Sequence, residues 1–297
     1  MTVPKVSIII PIYNVAPYII QCLDSVYNQS YSNYEVILVN DCGDDNSMEI
    51  IYQYLTHEKL SITKLIHHNQ NKGLSAARNT GIKHANGKWL YFLDSDDYIS
   101  ADCLKNFIQL AKKYNNPPFI FGTATQVPQE WTNACISSDK ADIPEYTNNI
   151  PWIRKSFSKD QFLPITAWNK LISKDFLIQH KLFFKEGIIY EDNLWNWHIG
   201  NTVKSIAFNK ETTYFYRYMP NSIINKPYNK INMNSEAIII KEMFKSITFD
   251  YFFRKLLYIL HFSHSSYCKS QGNKPLSPCY IRYPKAFIYF LKCLLNN

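Results

Sequence analysis

Several motifs that define common classes of protein are absent from this chain of 297 residues. Its seven cysteines are an odd number with no Cys-x-x-Cys spacing, so a reduced cytoplasmic compartment is the simpler expectation. Neither Gly-x-Gly-x-x-Gly nor a Gly-rich Lys-Ser/Thr loop occurs. Their absence argues against a dinucleotide cofactor and against a phosphate-cradling NTPase loop.

Long hydrophobic runs are absent as well. The first run, residues 6–10, is too short for the hydrophobic region of a secretory signal and is closed by Pro11. The longest apolar segments, 256–268 and 286–295, contain polar breaks or fall below the ~20 residues that a membrane-spanning helix needs. We therefore expect neither a secretory signal nor a spanning helix.

Acidic residues are missing from the end of the chain. From Tyr251 onwards there are seven lysines and arginines and no Asp or Glu, so this segment carries most of the net charge of +8. Apolar and aromatic residues interleave with the basic ones, a pattern typical of helices that lie on anionic membranes and also of packed globular or dimer-forming helices. We expect peripheral membrane binding and, without a recognised motif, no nucleic acid. The oligomeric state is not indicated.

The composition is that of a folded protein, with 46% hydrophobic and 15% aromatic residues. In the first half, short β-branched runs alternate with helical patterns, which predicts an α/β domain with a largely parallel sheet. The predicted strands are 6–10, 35–39, 62–66, 88–93 and 119–123, and the predicted helices are 16–27, 46–54, 74–84 and 101–114.

Residues 126–165 lose this alternation and contain four prolines. We predict a long irregular excursion there, of the kind that is usually functional or mobile. Beyond it, the patterns predict helices at 173–180, 191–200 and 232–246 and strands at 205–208 and 214–218.

Polar and aromatic residues follow the predicted strands at the point where each strand ends. Tyr13 follows the first strand, residues 40–45 follow the second, and residues 94–97 follow the fourth. Ligands of open α/β sheets bind at this carboxyl edge. An aromatic ring beside a carboxylate suits a nucleobase. Asp94 and Asp96, two residues apart in extended chain, can present hard oxygen ligands to a Mg²⁺ or Mn²⁺ that also binds a diphosphate.

Four motifs follow one another along the first 100 residues. They are Val-Ser-Ile-Ile-Ile-Pro-Ile-Tyr-Asn-Val at 6–15, Glu-Val-Ile-Leu-Val-Asn-Asp at 35–41, Asn-Lys-Gly-Leu-Ser-Ala-Ala-Arg-Asn-Thr-Gly at 71–81 and Phe-Leu-Asp-Ser-Asp-Asp at 92–97. In this order they resemble the motifs of family 2 glycosyltransferases. Weaker similarity continues to residue 222, through 168–171 and 186–192, and nothing in it concerns the basic tail. One departure is Cys42, which occupies a position where the family often has glycine.

The resemblance implies a glycosyltransferase A-type fold, which is a Rossmann-like, mostly parallel sheet flanked by helices, here with a C-terminal helical extension. It also implies a nucleotide-sugar donor, usually a UDP-sugar, and inversion at the anomeric carbon. We expect residues 1–125 to form the nucleotide-sugar-binding half and residues 126–225 the acceptor and catalytic-base half. Residues 226–297 would be the basic, aromatic extension.

The resemblance also assigns roles to residues. Asp41 would accept the imide N–H of uracil, Asp94 and Asp96 would bind the Mn²⁺ or Mg²⁺, and Asp192 would be the catalytic base. The donor-binding residues would be Pro11, Tyr13, Asp41, Arg78, Asp94 and Ser95.

Several of these residues also have a purely structural interpretation, which remains an alternative to the functional role. An aspartate before a helix, such as Asp41, can be a simple N-cap. Arg78 can belong to a solvated helix face, and Asp192 can be an acidic first-turn residue that the helix dipole favours. Asp97 is interpreted as a loop or cap residue, and the His67-His68 pair as surface.

Together these expectations describe a metal-dependent inverting glycosyltransferase. It would move a hexose or N-acetylhexosamine from a UDP-sugar to a hydroxyl of a growing cell-surface glycan, such as lipooligosaccharide, O-antigen or capsule. The acceptor would be lipid-linked, at the inner face of the cytoplasmic membrane. Two alternatives stay open, a nucleotide-sugar-binding scaffold without turnover and a nucleotide-sugar phosphohydrolase.

Overall fold

The computed structural model describes residues 5–127, 143–157, 163–219 and 227–246, with a few further residues between 259 and 272. The chain forms two compact units. The first comprises Met1–Ile153, Thr166–Glu186 and Thr202–Tyr218, and the second comprises Arg154–Ile165, Gly187–Asn201 and Met219–Asn297. The assignment of donor and acceptor halves to stretches of the chain remains a prediction.

The first unit is built on one sheet, which has nine strands within the described residues and a mostly parallel register. Four parallel strands form one side in the order β3-β2-β1-β4, and β8, antiparallel to both neighbours, joins β4 to β6. β6 runs parallel to β9, while β5 and β7 pair antiparallel with β9. The strands are β1 Val6–Ile12, β2 Tyr34–Asn40, β3 Thr63–His67, β4 Trp89–Phe92, β5 Tyr98–Ile99, β6 Phe119–Val127, β7 Tyr146–Thr147, β8 Lys170–Ser173 and β9 Ile206–Arg217.

The sheet is covered by helices whose apolar faces recur every three or four residues. β1 and β4 are buried along their whole length, as expected of central parallel strands. On α5, the residues Cys103, Leu104, Phe107, Ile108 and Ala111 pack into the core, while its lysines face solvent. The first seven helices are α1 Ile19–Tyr27, α2 Ser47–Tyr54, α3 His57–Ser61, α4 Leu74–His84, α5 Cys103–Lys113, α6 Ile150–Phe157 and α7 Lys174–Gln179.

Two predictions about the second half of the chain were wrong. The predicted strands 205–208 and 214–218 are one strand, β9. Its pairing with β6 stops at Asn209 and resumes at Thr212, so Lys210 and Glu211 form an exposed irregularity within the strand. The predicted irregular excursion 126–165 contains β7 and α6. Pro151 lies in the first turn of α6, where a missing backbone N–H breaks no hydrogen bond of the helix.

The second unit contains α8, Glu191–Thr202, except its last residue, and α9, Lys230–Lys245. Its core joins Leu194 and Trp197 of α8 to Ile239, Ile240 and Met243 of α9. Most of the basic tail that follows Tyr251 lies outside the described residues, so its membrane role stays a prediction. None of the helices within the described ranges combines the length and apolar character needed to cross a bilayer.

Candidate active site

The loop after β1 is fixed so that it presents an open aromatic ring. Pro11 is buried near the end of the strand, and Tyr13 beyond it is 49% exposed. Asn14 adopts a left-handed backbone, φ 52°. Its side-chain amide donates to Asp44 Oδ1 at 2.5 Å and accepts from the Asp44 N–H at 2.8 Å. A Cβ on Gly43 would lie 2.6 Å from Asn14 Oδ1, so only glycine fits beside the hydrogen-bonded Asn14 and Asp44.

Asp41 follows β2 and is 3% exposed. Its Oδ1 accepts from the His68 ring at 2.6 Å and from the Lys72 N–H at 2.9 Å, and its Oδ2 accepts from the Gly73 N–H at 2.8 Å. These contacts connect the carboxylate to the start of α4. A carboxylate has about four acceptor positions, so one position on Oδ2 remains for another donor.

His68 is a site residue that the sequence analysis missed, and its assignment to the surface was wrong. The ring is buried between Asp41 and the hydroxyl of Thr80, which lies 2.9 Å from Nε2. The parallel register of β2 and β3 pairs Asn40 with His67 and so places the following residues side by side. That register is the signal that could have identified His68 from the sequence. His67 itself is exposed and stacks on Tyr52.

The turn after Asp41 explains the departure at Cys42. Its backbone is left-handed, φ 56°, the conformation that favours glycine. The cysteine is held there because its N–H donates to Asn40 Oδ1 at 3.1 Å and its thiol donates to the His68 carbonyl at 2.8 Å. The turn therefore tolerates a residue other than glycine at a position with left-handed backbone.

Arg78 and Asp94 meet at the carboxyl edge of β4. Arg78 is 1% exposed, so the alternative that it belongs to a solvated helix face is wrong. Its Nη2 donates to Asp94 Oδ1 at 2.9 Å, and its guanidinium lies 5.3 Å from the centre of the Phe184 ring. Ser95, the next residue after Asp94, is buried. The arginine places positive charge beside the carboxylates that follow β4.

Asp96 and Asp97 have different surroundings. Burial and, secondly, the charge of Asp94 raise the pKa of Asp96 to about 6. Asp97 is buried, accepts from the Tyr214 hydroxyl at 2.6 Å and from the Arg217 N–H at 2.7 Å, and so attaches this loop to β9. Burial and the neighbouring carboxylates raise the pKa of Asp97 well above its usual range. Its contacts are those of a loop residue, as predicted.

The donor set at this loop fits a divalent cation that is shared with a substrate. Among the described residues, no group of three or more His, Cys, Asp or Glu side chains is placed to hold a metal ion. Asp94 and Asp96 supply carboxylate oxygens, the ligands that Mg²⁺ and Mn²⁺ prefer, and Mg²⁺ usually takes its other ligands from phosphates and water. Their mutual repulsion, which contributes to the raised pKa of Asp96, would be relieved by such a cation.

Asp192 lies in the second unit, as the second residue of α8, and is partly exposed. The Asn196 side chain donates to its carbonyl at 2.9 Å. The preceding Glu191 is buried. The structure thus brings Tyr13, Asp41, Arg78, Asp94, Ser95 and Asp96 to the carboxyl edge of the parallel strands in the first unit, while the role of Asp192 as a base remains a prediction.

Comparison with known proteins agrees with this architecture. The model of the family described as glycosyl transferase family 2 matches residues 7–167. A Bacillus subtilis protein named as the uncharacterized glycosyltransferase EpsJ is 33% identical over 237 residues, which cover 76% of this chain and 64% of EpsJ. The chain belongs to glycosyltransferase family 2.

Solved structures show the same fold. Residues 1–349 of Staphylococcus aureus TarS, in complex with UDP-GlcNAc, align with a TM-score of 0.72 and 20% identity over 98% of this chain and 81% of that one. The mannosyltransferase PcManGT of Pyrobaculum calidifontis, in complex with GDP-Man and Mn²⁺, aligns with a TM-score of 0.60 and 15% identity over 99% of this chain and 87% of that one. At these identities the likeness establishes the glycosyltransferase A-type fold alone.

Proposed function

We propose that this protein transfers a sugar from a UDP-sugar to a hydroxyl group with inversion at the anomeric carbon. One observation carries the proposal: the buried carboxylate of Asp41, the exposed ring of Tyr13 and the carboxylates that follow β4 lie at the carboxyl edge of one parallel sheet. Membership of glycosyltransferase family 2 supports it.

Tyr13 and Asp41 would bind the uracil of the donor. The exposed Tyr13 ring can stack on uracil. The imide N–H of uracil is a hydrogen-bond donor and matches the open position on Asp41 Oδ2, whereas the corresponding nitrogen of cytosine carries no hydrogen. The crystal structures of TarS with UDP-GlcNAc and with UDP agree with a uridine donor.

Asp94 and Asp96 would hold the Mn²⁺ or Mg²⁺ together with the diphosphate of the donor, with Asp96 as the direct ligand. When bound, the cation would stabilise the negative charge that grows on the departing UDP. The guanidinium of Arg78 lies beside Asp94 and adds positive charge where the nucleotide would bind. Ser95 would contact the donor between these two carboxylates.

The chemical step is a single displacement. The acceptor hydroxyl loses its proton to the carboxylate of Asp192 while its oxygen forms the new bond to the anomeric carbon. The bond from that carbon to the phosphate oxygen breaks, and UDP leaves with the electron pair. Because attack and departure occur on opposite faces, the configuration inverts, whereas retention by double displacement would need a second carboxylate as nucleophile.

The acceptor assignment rests on the family and on the tail. A hexose or N-acetylhexosamine would pass to a growing glycan of the cell surface, such as lipooligosaccharide, O-antigen or capsule. The basic, aromatic segment after Tyr251 would bring the enzyme to a lipid-linked acceptor at the inner face of the cytoplasmic membrane.

The test is UDP release by the purified protein from a panel of UDP-sugars, with Mn²⁺, with Mg²⁺ and with chelator. We expect slow, metal-dependent release from one donor without acceptor, giving free sugar and UDP. A phosphohydrolase would instead give a sugar phosphate. A protein that neither releases UDP nor binds it in the presence of metal would contradict the proposal.

A further inference from the structure

We propose that α9 is a positioning element for the active site, and that Tyr190, Asn232 and Ser235 hold the loop from which the helix of Asp192 begins. The inference rests on the proposed function, because it gives α9 a role only if Asp192 is the base. It concerns a helix that lies beyond the segment matched by the family model, which ends at residue 167.

The loop 187–190 has an unusual backbone. Gly187 is left-handed, φ 79°, and so is Tyr190, φ 62°. For a tyrosine this conformation costs free energy and persists only where the surroundings impose it. The carbonyl of Tyr190 accepts the N–H of Asn193 at 3.0 Å, so the same residue also begins α8. The direction of α8, and with it the position of Asp192, depends on the conformation of Tyr190.

The contacts that impose this conformation come from α9. The Ser235 hydroxyl accepts the N–H of Ile189 at 3.1 Å, and the Asn232 side-chain amide donates to the Tyr190 hydroxyl at 2.8 Å. Asn232 and Ser235 are three residues apart, so they share one face of the helix, and both are almost completely buried.

Asn232 is itself held in place. Its side-chain oxygen accepts the Asn229 N–H at 2.9 Å, as half of the capping box that begins α9. The amide that reaches Tyr190 therefore has a fixed orientation. A helix that needed only to bind a membrane or a second copy would have no requirement for buried polar contacts to this loop.

Packing fixes the rest of α8 against the same helix. Leu194 and Trp197 lie in one buried cluster with Ile239, Ile240 and Met243. The indole N–H of Trp197 donates to the Ser246 hydroxyl at 2.5 Å, at the end of α9. Since polar contacts hold the loop before α8 and apolar contacts hold its body, a change in α9 alters the placement of the first turn, where Asp192 lies.

The experiment uses the full chain with Tyr190→Phe and Ser235→Ala, each of which removes one hydroxyl. Tyr27→Phe and Ser61→Ala are matched controls, because each removes a hydroxyl hydrogen bond in the first unit. The measurements are kcat, the affinity for UDP with Mn²⁺, and hydrogen exchange of the Ile189 amide. A misplacement of about 1 Å can cost roughly 100-fold in rate, and we expect kcat to fall about 5- to 50-fold.

The expected pattern separates positioning from general destabilisation. UDP affinity should stay within about twofold of the wild type, because the donor residues lie in the first unit, and the controls should keep their kcat. The Ile189 amide should exchange slowly in the wild type and faster in Ser235→Ala. An unchanged kcat despite faster exchange at Ile189 would overturn the proposal, and so would a parallel loss of kcat and UDP affinity.

If the proposed function itself is wrong, the same measurements give a different result from the one that refutes only the positioning role. In that case the wild-type protein would turn over no donor, although Ile189 exchange would still report the contact with Ser235. An active wild type whose Tyr190→Phe and Ser235→Ala forms are equally active would refute the positioning role alone.

Discussion

Asp41→Asn is the substitution that most directly probes the proposed base-binding carboxylate. The native side chain accepts three hydrogen bonds, from the His68 ring and from the Lys72 and Gly73 N–H groups. Asparagine keeps one side-chain oxygen, which can accept the hydrogen bonds from the His68 ring and the Lys72 N–H. Its NH₂ group then faces the Gly73 N–H, so one hydrogen bond to a charged acceptor is lost and two donors oppose each other.

The cost can be estimated from these contacts. A hydrogen bond to a charged group contributes about 1.5–3 kcal/mol, and a buried group left without its partner costs a similar amount. We expect the free energy of unfolding to fall by about 3 kcal/mol. The affinity for UDP should fall about 5- to 150-fold, which corresponds to about 1–3 kcal/mol for an imide N–H that meets an amide NH₂ group.

Urea denaturation followed by circular dichroism measures the free energy of unfolding, and calorimetric titration with UDP and Mn²⁺ measures the affinity for UDP. Asp102→Asn is the matched control, because this carboxylate is exposed and its partners are Ser30 and Lys105 rather than residues of the loop that follows β2. It should leave the urea midpoint and the UDP affinity unchanged. An Asp41→Asn protein with wild-type stability and wild-type UDP affinity would refute both the buried network and the base-binding role.

Three further predictions concern single side chains. Tyr13→Ala should weaken UDP binding by about 1–3 kcal/mol in titration calorimetry, the range for base stacking, whereas Tyr52→Ala, which removes an exposed ring elsewhere in the first unit, should leave it unchanged. Gly43→Ala should weaken UDP binding without loss of circular dichroism signal, because its Cβ would displace Asn14; unchanged affinity would contradict this. Burial disfavours the charged form of Glu35, but hydrogen bonds from Ser7 and Asn86 and the ion pair with Lys64 outweigh it and lower the pKa of Glu35. The stability that these contacts give is present above the ordinary glutamate pKa of about 4.3 and is lost as the pH falls through the lower pKa of the folded state. Glu35→Gln should therefore lower the free energy of unfolding more at pH 7 than at pH 3. An equal loss at both pH values would contradict this prediction.

Apolar periodicity and β-branched runs in the sequence correctly predicted several helices and strands of the first unit. Helix α4 has the bounds that its periodicity predicts, 74–84, and β1, β2 and β4 lie where β-branched and aromatic runs predict them. A parallel arrangement of these strands brings the residues that follow them, Tyr13, Asp41 and Asp94, to one edge of the sheet. This much of the candidate site was therefore accessible from the sequence.

The features that were missed depend on contacts between distant segments. β9 could not be recognised as one strand, because its exposed polar residues 210–212 interrupt the apolar pattern. Only the pairing with β6 on both sides of Lys210 and Glu211 shows that the strand continues. His68 looked like a surface residue until the β2–β3 register placed it beside Asp41. The contacts of Asn232 and Ser235 with the loop 187–190 join residues more than 40 positions apart, which no periodicity encodes.

The most direct test of the central claim is the comparison of Asp192→Asn with the wild-type protein, using the donor identified in the UDP-sugar panel. General-base catalysis contributes about 100- to 10,000-fold, so transfer by the variant should fall by at least about 100-fold while UDP still binds with wild-type affinity. Turnover at the wild-type rate by Asp192→Asn would contradict the assignment of the base and, with it, the mechanism proposed for this protein.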